Sequence, residues 1–153
     1  MSRAFVKEPD GEDSGDALPE RPISEHPNFV TAEGLAAIDA EIARLNAELA
    51  ATKDDRGRTA AIQRDLRYWR ARRTTTDVVP ATVEPREVRF GSTVTIERAD
   101  GRRQTWRIVG EDEADPAKGT VSHVSPLARA LAGKAVGDVV EVAGAEVEII
   151  TIT

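Results

Sequence analysis

Cysteine is absent from the 153 residues, which removes disulfides, thiol nucleophiles and cysteine-ligated zinc in one step. Histidine stands only at positions 26 and 123, too few for a protein-only transition-metal site. Aromatic residues are 4% of the chain, and 153 residues give apolar content for a modest core but not for a large buried cavity, so small-molecule catalysis in a deep pocket is disfavoured. No stretch approaches the roughly 18 apolar residues of a membrane span, and acids stand where a secretory signal has its apolar core. A cytoplasmic protein without membrane contact is expected. No cofactor or metal site of its own is expected either.

A net charge of −6 argues against a protein that coats duplex DNA, because non-specific affinity comes from Lys and Arg neutralising phosphates. Residues 1–25 hold seven acids and three bases, residues 26–83 eight and nine, and residues 84–153 twelve and nine. Positive charge concentrates in Arg56, Arg58, Arg64, Arg67, Arg70, Arg72 and Arg73. Seven guanidiniums exceed what the nearby Asp54, Asp55 and Asp65 can pair, so the run is expected to face an acidic groove on a partner or RNA phosphate.

Residues 1–28 combine Gly, Pro and acids with little apolar periodicity and read as a flexible acidic leader, although Phe5-Val6 and Ile23 are apolar enough to dock. Thr31 is a good N-cap, and after it Leu35, Ile38, Ile42, Leu45 and Leu49 fall at steps of three and four, the seam of a coiled coil. Ile62, Leu66 and Trp69 continue the pattern beyond the polar patch Lys53-Asp54-Asp55-Arg56-Gly57, where Gly57 can take positive φ. The spacing predicts an antiparallel helical hairpin over residues 29–76, with helices from about 31 to 54 and 58 to 74. Thr74-Thr75-Thr76 and Pro80 then open a linker over 77–87.

From Val88 the period changes to two. Val88, Phe90, Val94 and Ile96 face a returning strand from Gln104 to Val109 across the turn Ala99-Asp100-Gly101-Arg102. Thr120 to Val124 is strand-like, Ser125-Pro126 caps a short helix that stops at Gly133, and Val136 to Val142 and Glu146 to Ile152 close a hairpin around Ala143-Gly144. The fold class is α+β: a helical hairpin, then a mostly antiparallel sheet with one short helix over residues 88–153. Asp112-Glu113-Ala114-Asp115 spells the acidic box of a helicase-type ATPase. No Gly-x-x-x-x-Gly-Lys-Ser/Thr loop accompanies it, so it reads as a solvated acidic loop closing the sheet.

Four strings follow one another at domain-scale spacing: Phe90-Gly91, Ile108-Val109-Gly110-Glu111-Asp112-Glu113, Ser125-Pro126-Leu127-Ala128-Arg129-Ala130-Leu131 and Val136-Gly137-Asp138. Together they resemble the C-terminal domain of the GreA/GreB transcription elongation factors, well over residues 88–142 and in outline over the hairpin. The resemblance implies an FKBP-like C-terminal domain docking on bacterial RNA polymerase at the rim of its secondary channel. The hairpin would enter that channel, with indirect contact to transcript RNA and DNA. It implies a polymerase-binding set of Ser125, Pro126, Arg129, Arg64, Arg67 and Arg70, in a factor expected to be monomeric. Val124 departs from the polar residue often found before that serine.

The resemblance also bears on chemistry. Family tip carboxylates help hold a second Mg²⁺ ion in the polymerase active centre and promote transcript cleavage, which makes Asp54 and Asp55 the candidates here, acting on a shared Mg²⁺. Yet bases flank this pair, and each arm is shorter than the family's by about a dozen residues, which withdraws the tip by nearly 20 Å, at about 1.5 Å per residue. The expectation is therefore a short-hairpin factor, similar in this to the regulator of nucleoside diphosphate kinase, that occupies the channel and is no enzyme itself. An auxiliary cleavage factor is the alternative. An FKBP-like fold also admits a peptidyl-prolyl isomerase, but Phe90 and Trp106 are too few to grip a proline ring.

Overall fold

The computed structural model describes residues 18–153; Phe5-Val6 and most of the acidic leader lie outside the described residues. Among the described residues the first element is a two-residue strand β1 (Phe29–Val30), followed by helix α1 (Ala32–Ala51) and helix α2 (Arg56–Thr74). Thr31 caps α1, its hydroxyl accepting from the Gly34 amide at 3.0 Å. Asp55 caps α2 through a 3.0 Å bond from the Arg58 amide. Arg72 and Arg73 end α2 where cations suit the helix dipole. The α1 seam closes on the α2 seam, with Leu45, Ile62 and Leu66 buried and Ile42, Leu49 and Trp69 packed around them. The hairpin thus satisfies its own apolar edges.

Three details of the hairpin differ from expectation. Gly57 lies inside the first turn of α2 without positive φ; extended backbone at Thr52 and Asp55 makes the reversal instead. Residues 18–28 are not a loose leader, because they run against α2 and the C-terminal domain and are held by side-chain bonds at Glu20, Arg21, Ser24 and Asn28. The linker does not begin free either. Its first residues form β2 (Asp77–Val78), which pairs in parallel with β1, Phe29 opposite Asp77 and Val30 opposite Val78. This two-strand clasp ties the entrance of α1 to the exit of α2.

The second unit is a five-stranded sheet of β3 (Thr93–Arg98), β4 (Arg103–Val109), β5 (Thr120–Ser122), β6 (Val139–Val142) and β7 (Ala145–Ile152), in the order β5-β4-β3-β7-β6. All its pairings are antiparallel except β4 with β5. The first strand begins at Thr93 and not at Val88, since Val88 uses its backbone to bond Lys134 and Gly133 behind helix α3 (Pro126–Leu131). Val94, Ile96, Ile108, Val121, Val147 and Ile149 meet Ala128 and Leu131 of α3 in one core. The β6–β7 turn holds Ala143 and Gly144 at φ 51° and 79°, the paired positive values of a two-residue hairpin turn. The observed architecture is α+β, a helical hairpin followed by a mostly antiparallel sheet with one short helix.

Candidate functional site

The hairpin tip is exposed at Lys53, Asp54, Asp55 and Arg56. An α1 of 20 residues carries the tip about 30 Å from its base, at roughly 1.5 Å per residue. The two candidate carboxylates differ there. Asp55 is committed to the α2 N-cap, whereas Asp54 is exposed and has no side-chain partner among the described residues. Lys53, Thr59 and Gln63 share the open concavity around them.

The arginines of α2 do not form an unpaired row, contrary to the charge count. Their partners come from outside the tip: Arg58 reaches Glu48 at 2.5 Å, Arg67 reaches Glu20 at 2.6 Å, and Arg73 reaches Asp39 at 2.7 Å. Arg64 lies 3.3 Å from Asp65, and Arg70 donates to Asn46 at 3.1 Å. Arg72 is 2% exposed and serves the interior. Apart from Asp65, local sequence missed these partners because the fold brings them from α1, the leader and the second unit. The expected set is therefore split: Arg64, Arg67 and Arg70 line α2, while Ser125, Pro126 and Arg129 lie on the C-terminal unit. Ser125 caps α3 by accepting from the Ala128 amide, Pro126 and Arg129 are exposed, and the Arg129 guanidinium lies 3.5 Å from the His26 ring.

Between these surfaces lies a junction that sequence reasoning assigned to solvent. The loop after β4 is not a solvated acidic turn; its carboxylates enter the base of the hairpin. Asp112 accepts from Arg72 Nε at 2.6 Å and from the Tyr68 hydroxyl. The Arg72 fork also donates to Asn28 Oδ1 at 2.8 Å, and Asn28 returns a bond to the Arg72 carbonyl. Glu113 accepts from the Thr31 amide at 3.0 Å, from the Gly110 amide at 2.9 Å and from the Thr31 hydroxyl. One carboxylate thereby reinforces the cap of α1 from another part of the chain. Arg72 is buried and its half-buried carboxylate partner Asp112 is in place, the condition under which a buried charge is tolerated.

Burial and the bond to Asp112 push the Tyr68 phenol up to about 12. Burial lowers the His123 ring below its ordinary value. That ring sits edge-on to Phe29 and Phe90, 5.3 and 5.5 Å between centroids. Phe29 also meets Phe90 at 5.8 Å, so β1 is pinned to the second unit by apolar contact as well. The only signals for this junction in the sequence were Gly110, which admits the close approach of the Phe29 carbonyl, and Gly34, where a side chain would collide with Glu113.

Residues 83–153 match the family described as Transcription elongation factor, GreA/GreB, C-term. The GreA of Phenylobacterium zucineum is 36% identical over 137 residues, covering 74% of this chain and 86% of that protein. This chain belongs to the GreA/GreB family. A GreA from a Bradyrhizobium species is 43% identical over 98 residues, 63% of this chain, and the match spans 61% of that relative's length. Among solved structures, the GreA factor homolog 1 (Gfh1) of Thermus thermophilus aligns over 84% of this chain and 99% of its own, at 19% identity and a TM-score of 0.41. Within this GreA/GreB chain, α1 and α2 are the hairpin and residues 83–153 hold the family domain. No helix among the described residues is long and apolar enough to cross a membrane.

Proposed function

We propose that this chain binds bacterial RNA polymerase at the secondary channel, docks through the Ser125–Arg129 cap, inserts its short hairpin and regulates elongation by occupying the channel. Membership of the GreA/GreB family supports the partner, and its relatives carry the name transcription elongation factor GreA. The observation that carries occupation over cleavage is at the tip. Of the two candidate acids, Asp55 is engaged as a helix cap, which leaves Asp54 alone, and arms of 20 and 19 residues give it short reach. A single carboxylate held back from the metal supplies neither the charge nor the geometry that a shared Mg²⁺ requires. The isomerase alternative finds no support, since Phe90 is occupied by Phe29 and His123, and Trp106 packs on the core.

The test is transcript cleavage by a deliberately backtracked elongation complex, with this protein titrated alone and then against an authentic GreA. The expected result is no stimulation alone and suppression of GreA-driven cleavage in competition. Stimulated cleavage that disappears in Asp54→Ala would instead establish an auxiliary cleavage factor.

A further inference from the structure

The segment before β1 has no role in either core, yet side-chain contacts hold it on α2. Glu20 makes a two-pronged pair with Arg67, its oxygens 2.9 and 3.1 Å from Nε and 2.6 Å from Nη2. Arg21 lies over the Tyr68 ring at 3.8 Å and near Trp69 at 5.6 Å, with Asp65 at 3.4 Å. Ser24 donates to Glu111 at 2.9 Å, and Asn28 holds the Arg72 carbonyl. The segment therefore engages Arg67, which stays 52% exposed beside Glu20, and lies over the adjoining aromatic face. His26 lies beside Arg129 on the C-terminal unit. Arg67 and Arg129 both belong to the polymerase-binding set that the family resemblance implies.

We propose that residues 18–28 are a resident cover on a docking face of α2, and that an acidic wall of RNA polymerase displaces Glu20 from Arg67 on binding. The inference rests on the polymerase-binding reading above. Charge complementarity argues for it: residues 18–28 carry Glu20 and Glu25 against Arg21, whereas α2 carries seven arginines. The groups that the segment engages would suit an acidic partner equally well, with Arg67 for a carboxylate and Tyr68 and Trp69 for apolar and cationic side chains.

The cover is weak by construction. An exposed ion pair is worth little and is screened by salt. Tethering compensates, because a short linker presents the segment at an effective concentration on the order of mM. A cover closed about nine-tenths of the time weakens the apparent affinity for a competing partner about tenfold. It would also make polymerase binding respond to any change at Glu20 or Arg21, neither of which touches a core.

The test uses the full chain, whose lack of cysteine allows clean labelling. Spin labels at Leu18→Cys and Gln63→Cys report whether the segment lies on α2, and polymerase affinity is measured for wild type and for Glu20→Gln with Arg21→Gln. The expected result is one short, narrow distance in the free wild type, a broad distribution in the neutralised variant, and about tenfold tighter polymerase binding by that variant. A broad distribution in the free wild type would overturn the cover itself. So would a narrow distance joined to unchanged or weaker binding by the neutralised variant. Unchanged affinity when Arg67→Glu is added to the neutralised variant would overturn the α2 docking face and the cover with it, whereas failure of the chain to compete with GreA would overturn the polymerase-binding reading itself.

Discussion

Arg72 and Tyr68 show how one residue can be misread when its partner is remote. Both stand in a strongly basic helix, and both turn inward to Asp112. Arg72 carries its charge into a site 2% exposed, where the fork is satisfied by Asp112 and Asn28 together. Tyr68 gives this site an optical reporter, because it is the single tyrosine of the chain. Its phenol is expected to titrate near 12 and not near 10 when absorbance at 295 nm is followed. Since the unfolded chain releases this proton near 10, the folded state binds more protons between 10 and about 12. Stability is therefore fully present below 10 and is lost as pH rises through that window. A phenol titrating at its ordinary value would mean that Tyr68 does not reach Asp112.

At the scale of elements, the reversal between α1 and α2 depends on a side-chain cap and on extended backbone, with no glycine turn. Asp55→Ala is expected to cost about 1 kcal/mol, the usual loss of an N-cap, whereas Asp54→Ala is expected to change stability by less than about 0.5 kcal/mol. Urea denaturation of the two variants separates a structural acid from a free one, and equal losses would contradict the assignment of the cap. The heptad seam was legible because both partners lie on adjacent helices and the period of their apolar residues is local. The β1–β2 clasp was not, since two-residue strands carry no period. Phe29 and Val30 pair with Asp77 and Val78 only because the hairpin returns the chain to its own beginning.

Across the molecule, the two units are joined by carboxylates of one loop entering the base of the other unit. Glu113 holds the first turn of α1, and a Cβ at Gly34 would strike its side chain. Gly34→Ala is therefore expected to lower stability by about 2 kcal/mol, the loss of charge-assisted bonds outweighing the better helix propensity of alanine. Gly57→Ala offers the opposite case. Its Cβ meets only Asp55 Oδ1 at 3.6 Å, and a gain of up to about 1 kcal/mol is expected from propensity. Thermal unfolding with small-angle scattering checks both, the first variant showing a larger radius through a loosened junction. Unchanged stability and radius in Gly34→Ala would mean that Glu113 does not fasten the units.

Features settled within a few residues are legible in the chain itself: the α1 and α2 seams, the Thr31 and Ser125 caps, the turns at Gly101 and Gly144, and an α+β order of elements. These are short-range consequences of side-chain period and backbone sterics, so the sequence alone determined them, and with them membership of the GreA/GreB family. What only the tertiary structure decided is where the charges go. Arg67 meets Glu20 and Arg72 meets Asp112 across 47 and 40 positions of chain. A charge count over neighbours sees free arginines and a solvated acidic loop, because the pairing energy of a buried or tethered ion depends on geometry that exists only once the hairpin has closed on the sheet.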